Sequence, residues 1–109
     1  MTDCLLVTTT VDSREAADRL AAALVSERLA ACAQVSGPLA STYRWRGAVQ
    51  HSTEWQCQLK TTARHVAAIE HAFARLHPYD LPELTIAPIS GSAAYLRWIA
   101  EATGAEDRS

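Results

Sequence analysis

Two long extended runs joined by a two-residue turn constrain this chain more than any other feature of it. In the second run, over 48–61, Trp55, Cys57 and Leu59 alternate with Glu54, Gln56, Gln58 and Lys60, the period of a strand with one buried face. In the first, Ala31, Ala33 and Val35 alternate with Cys32, Gln34 and Ser36, Gly37-Pro38 interrupts, and Ser41-Thr42-Tyr43-Arg44-Trp45 resumes. The interruption predicts a bulge or kink, because proline removes a ladder donor and glycine permits the backbone to bend. Arg46-Gly47 supplies the turn. A strand of about fourteen residues at about 3.3 Å each reaches roughly 46 Å, against roughly 17–20 Å for a typical strand. No single domain of 109 residues can enclose such a hairpin, so its distal half is expected to protrude. Tyr43, Trp45, Val49 and Trp55 would then lie on an exposed ribbon prone to edge pairing, and neighbouring copies are expected to cover it.

The remaining elements fall on either side of this hairpin. Cys4 to Val11 is β-rich, and its apolar first half suits a central strand. Asp12 followed by Glu15 has the spacing of a capping box, and Ala17, Leu20, Ala21, Leu24 and Val25 line one face of a helix predicted over 13–28. Thr62 is the expected cap of a second helix carrying Val66, Ile69, Phe73 and Leu76, which Pro78 stops. Residues 83–89 read as a fourth strand, with Pro88 placing its end at an edge or bulge. Ser92 caps a last helix with Tyr95, Ile99 and Ala102 on one face, closed by Gly104. The order β-α-β-β-α-β with a C-terminal helix predicts an α+β, ferredoxin-like fold. Residues 1–109 make one domain, with 106–109 as a solvated tail.

Composition removes several function classes. Ten Lys plus Arg against twelve Asp plus Glu leave a formal charge of -2, and the absence of a basic run argues against nucleic acid as a partner. Only Cys4 to Val7 are apolar near the N-terminus, and Asp3 precedes them, so neither a signal peptide nor a membrane span is expected. Cys4, Cys32 and Cys57 are odd in number and far apart, which fits reduced thiols and a cytoplasmic location better than a disulfide framework. No Gly-x-Ser-x-Gly elbow and no cysteine motif with a positioned base occur, so the chain is not read as an enzyme. Glycines are too scattered to cradle phosphate. The hydroxyls of 8–13 before the first helix offer at most a weak anion site.

The candidate site is the stretch His77-Pro78-Tyr79-Asp80-Leu81-Pro82-Glu83. Its prolines deny the helix to His77 and Leu81, so an imidazole, a phenol and two carboxylates come from a stiff connection. His77, Cys32 and Glu83 form a donor set that copper or zinc could use, if the second strand and the end of the second helix meet. Asp80 and Tyr79 are secondary candidates. Lys60 and Thr61, with Tyr79 and Glu83, are candidates for binding a small anion or a partner in a cleft between subunits. His51, His65 and His71 have no ligand-like companions and read as surface residues, while Trp45 and Trp98 read as packing residues.

Five stretches, taken in order, resemble the CutA divalent-cation tolerance family: Glu27-Arg28-Leu29-Ala30-Ala31-Cys32, Ser41-Thr42-Tyr43-Arg44-Trp45 with Gly47, Leu59-Lys60-Thr61-Thr62, Leu76-His77-Pro78-Tyr79 with Pro82-Glu83, and Tyr95-Leu96-x-Trp98. The resemblance implies a homotrimer of ferredoxin-like subunits, similar to the PII signalling proteins, in which long hairpins build sheets between subunits. It also implies tolerance of divalent metals, copper especially, with metal binding in some members and no known reaction. No obligatory cofactor is implied. Some bacterial relatives look as though they bind copper through a cysteine late in the first strand and a His-His pair before the Pro-Tyr. The corresponding positions here are Thr9, Leu76 and His77, and neither a threonine hydroxyl nor a leucine replaces a soft or imidazole donor. Cys32 is then the nearest remaining soft ligand. A PII-like sensor or scaffold is the alternative that the resemblance leaves open.

Overall fold

The computed structural model describes residues 3–104. Strand β1 (Cys4–Val11) is followed by helix α1 (Arg14–Ser26), strands β2 (Cys32–Trp45) and β3 (Ala48–Thr62), helix α2 (Val66–Leu76), strand β4 (Thr85–Pro88) and helix α3 (Ala93–Thr103). The strands form one antiparallel sheet in the order β2-β3-β1-β4, the ferredoxin-like arrangement expected from the element order. Among the described residues, no helix is long and apolar enough to cross a membrane.

Strand alternation assigns the faces. Val7, Thr9 and Val11 pair with Leu59, Cys57 and Trp55, and these positions point to the side covered by α1 and α2. Leu20 and Leu24 from α1 and Ile69 and Phe73 from α2 close the main core over them. The opposite face carries Leu6, Thr8, Gln58 and Lys60 and is covered only at one end, where Cys4, Ala31 and Ile99 of α3 make a second, smaller cluster. Thirteen-residue α1 buries Ala16, Ala17, Leu20 and Leu24, at the three- and four-residue steps of one helical face.

The hairpin of β2 and β3 keeps its pairing from Cys32↔Lys60 to Trp45↔Ala48, with a register shift between Ser36 and Leu39 where Gly37-Pro38 was expected to disturb it. Gly37 stands at φ +153, and a Cβ there would come within 2.6 Å of Cδ1 of Trp55, so the indole occupies the space that a side chain would need. At the tip, Arg46 and Gly47 both have positive φ, 52° and 82°, as a two-residue turn matched to the strand twist requires. The molecule measures 47 × 25 × 22 Å, the long dimension agreeing with a protruding ribbon. Val49 is 54% exposed, Tyr43 43% and Trp45 38%. Trp55, expected with them on the ribbon, is instead half-buried against the main core, because the bulge brings it back over Gly37.

Several boundaries differ from the sequence expectation for local reasons. Ser13 rather than Asp12 caps α1, its Oγ accepting from the Ala16 N–H at 3.0 Å. The helix ends at Ser26, not 28, because Arg28 takes φ 61° and the Leu29 N–H turns back to the Leu24 carbonyl, a closure of the αL type. Thr62 caps nothing. Its hydroxyl is buried without a partner among the described residues, and a 3₁₀ turn, Ala63–His65, separates it from α2. β4 is shorter than 83–89, pairing only with Leu5 to Thr8 at the sheet edge. Trp45 and Trp98 do not fill a core; both are exposed, Trp98 lying against Tyr95. His65 is not a free surface residue, since its Nε2 is buried. The expected tail 106–109 lies outside the described residues.

Candidate functional site

Helix α2 stops at Leu76 because His77 turns to extended backbone, ψ 136°, as a residue before proline should. Loop 77–83 then folds over the end of β1, beside the place where the ribbon leaves the body. His77 is buried there. Its Nδ1 accepts from the Tyr79 N–H at 3.2 Å, and a nitrogen that accepts a backbone N–H cannot carry the ring proton. The proton therefore sits on Nε2, which donates to Thr9 Oγ1 at 2.9 Å. Phe73 and Tyr79 flank the ring at centroid distances of 5.3 and 5.1 Å. Burial lowers the His77 pKa, and the Thr10 backbone and the Asp12 and Glu54 carboxylates oppose it only in part.

Tyr79 extends the same chain of contacts to the ribbon. Its hydroxyl donates to Glu54 Oε2 at 2.7 Å, and burial first, then Glu54, raises its pKa, so it stays a phenol and a donor. Glu54 is only 7% exposed and sits one pair beyond the Val11↔Trp55 end of the β1 ladder. Glu83 is held from two sides, by Thr10 Oγ1 on Oε1 at 3.3 Å and by Thr85 Oγ1 on Oε2 at 3.1 Å. Between loop and ribbon runs a groove of about 920 Å³, with Thr10 at its base, Ser41, Thr42, Tyr43, Trp45 and Glu54 on the ribbon side, and residues 78–83 opposite. Its lining holds three carboxylates, Glu54, Asp80 and Glu83, and no lysine or arginine.

The residues singled out in sequence are brought together only in part. Tyr79, Asp80 and Glu83 share the groove. His77 lies beneath it with both ring nitrogens engaged. Cys32 is paired with Lys60 on β3, one position out of phase with Ala33 and Val35, which pack on the helix-covered core. It therefore faces the other side of the sheet from His77 and Thr9. No group of three His, Cys, Asp or Glu side chains suited to a metal ion occurs among the described residues. Within one subunit His77, Cys32 and Glu83 do not fit a copper ion. Thr61 is equally withheld from any cleft, being fully buried with its hydroxyl donating to the Leu29 carbonyl at 2.7 Å. Lys60 lies toward α3, its ammonium 5.6 Å from the Tyr95 ring centroid and bonded to Gln34. Sequence reasoning missed Glu54, which read as an ordinary strand residue, and its only signal was a place level with the end of β1; Thr9 was named only as a position lacking a soft ligand, not as the partner of His77.

Residues 5–102 match the family described as CutA1 divalent ion tolerance protein. The chain belongs to this family. Among CutA1 relatives, the Thermus thermophilus divalent-cation tolerance protein CutA is 42% identical over 100 residues, which cover 91% of this chain and 97% of that protein. The Escherichia coli divalent-cation tolerance protein CutA is 36% identical over 99 residues, covering 90% and 88%. The crystal structure of CutA from Xylella fastidiosa superposes with a TM-score of 0.90 at 38% identity, covering 94% of this chain and 100% of that one. The span matched to the CutA1 family takes in both the ribbon and loop 77–83.

Proposed function

We propose that this chain serves tolerance of divalent cations, copper among them, as a homotrimer whose metal ligands come from more than one subunit. The observation that carries the reading is the family match over residues 5–102, with relatives named for divalent-cation tolerance at 36–42% identity. The trimer is supported by the ribbon itself, which projects with Tyr43, Trp45 and Val49 exposed, and by the unpaired edges of β2 and β4, since exposed apolar edges of this length invite pairing. The soft donor available is Cys32, half-buried and undisulfided on an edge strand. His77 would first have to release the Tyr79 N–H, either to free Nδ1 itself or to let the ring proton move from Nε2 to Nδ1 and so free Nε2 from Thr9. Calorimetric titration of the assembled protein with copper tests the proposal. Saturable binding that Cys32→Ser abolishes, and that dilution below the dissociation constant of the assembly weakens, is the expected outcome; binding unchanged in both respects would overturn shared ligation through Cys32.

The PII-like alternative, a small anion held in the cleft by Lys60, Thr61, Tyr79 and Glu83, is not favoured at this groove. Its lining is acidic, Thr61 is buried and Lys60 lies elsewhere.

A further inference from the structure

The ribbon and the groove beside it carry opposite charges that one subunit cannot bring together. The groove is lined by Glu54, Asp80 and Glu83 with no lysine or arginine, and Glu54, although buried, has no ion-pair partner among the described residues. The ribbon is the reverse. Residues 39–53 hold Arg44, Arg46 and His51 and no carboxylate. A strand sends alternate side chains to opposite faces. Tyr43 and Trp45 line the groove of their own subunit, so Arg44, which stands between them, projects from the other face together with Val49, its pair across the ribbon. Arg46 is held over the Trp45 ring at 5.3 Å from its centroid, whereas Arg44 is exposed and makes no ion pair among the described residues. Apolar exposure follows the same division. Leu81, next to Asp80 on the loop, is 70% exposed, and Val49 is exposed beside Arg44.

We infer that the outer face of the ribbon, led by Arg44 and Val49, seats against the acidic groove of a second copy of this chain, with Glu54, Asp80 and Glu83 as countercharge and Leu81 as the apolar contact for Val49. The inference rests on the trimer proposed above and adds to it which surfaces meet. Each contact then joins two different patches, a head-to-tail arrangement that closes as a ring. The free edges of β2 and β4, on opposite sides of the sheet, suit the same arrangement. Ribbon against ribbon or groove against groove would oppose like charges, so the charge pattern selects the head-to-tail order.

Sedimentation equilibrium of the full-length protein, of Arg44→Glu, of Asp80→Arg and of the two combined tests the inference. Both residues are exposed in the single subunit, so either reversal leaves its fold intact. Each single reversal is expected to weaken assembly at least tenfold. The double reversal is expected to recover most of that loss, because every contact of the ring joins one ribbon to one groove and both charges change sign together. A wild-type trimer that neither single reversal weakens would overturn the contact and leave the trimer standing. Single reversals that both weaken assembly, with no recovery in the double variant, would also overturn it. A monomeric wild-type protein would overturn the trimer and this contact with it.

Discussion

Tyr79 is the residue on which the candidate site turns, because its amide N–H fixes the ring of His77 and its hydroxyl holds Glu54. Tyr79→Phe keeps the first contact and removes the second, leaving a buried carboxylate without its donor. A hydrogen bond to a charged group contributes about 1.5–3 kcal/mol, so a loss of about 2 kcal/mol is expected, read as a lower urea midpoint at unchanged slope. His77 gives a second expectation. Burial lowers its pKa from 6.5 and also lowers that of His65, so below pH 6.5 the unfolded chain binds more protons than the folded one. Their stabilising contribution is complete above pH 6.5 and is lost as pH falls below it through the folded-state values. Unfolding free energy measured from pH 7.5 to 5 should decline accordingly, and His77→Gln should flatten that decline while leaving the share due to His65. An unchanged slope would mean that the imidazole is not held neutral by its surroundings. Cys57, by contrast, is pushed up to about 11, first by burial and then by Asp18, and is an inert core thiol rather than a ligand.

At the scale of elements, the hairpin shows how two glycines in one ribbon meet different demands. Gly37 has Trp55 over it, and a Cβ would lie 2.6 and 2.9 Å from Cδ1 and Cγ of an indole that is packed against the core and cannot withdraw. Gly47 has open space around it and needs only its positive φ. Gly47→Ala should therefore cost about 1 kcal/mol, and Gly37→Ala about 2 kcal/mol or more, since backbone strain and a clash add there. Equal costs in thermal or urea unfolding at one protein concentration would contradict this account of the bulge. The hairpin was legible in sequence because alternation and turn residues are local signals. The cap of α1 was misplaced by one residue because Asp12 and Ser13 are both competent caps, and only the direction of the chain leaving β1 selects between them. The seat of Trp55 was not legible, since it depends on the bulged backbone at Gly37 of the facing strand.

For the whole molecule, the long axis of 47 Å and the rings along its outer half make association the quantity to measure. The proposed trimer should appear in sedimentation equilibrium, and Val49→Asp, which puts a charge on the most exposed apolar residue of the ribbon, should shift it toward smaller species. A monomeric wild-type protein at micromolar concentration would remove the trimer, whereas a Val49→Asp trimer as stable as wild type would show that the ribbon tip lies outside the interface. The sequence by itself determined the element order, the length of the ribbon and the stiffness of loop 77–83, because period, proline and turn chemistry act within a few residues. The family resemblance was legible for the same reason, in short motifs at fixed intervals. Only the tertiary structure decided that Cys32 and His77 face opposite sides of the sheet, that both nitrogens of His77 are engaged, and that Glu54 joins Asp80 and Glu83 in an acidic groove. Each of those facts depends on strand register and on which face a side chain takes. A shift of one residue reverses that face, and no local pattern fixes it until the strands have paired.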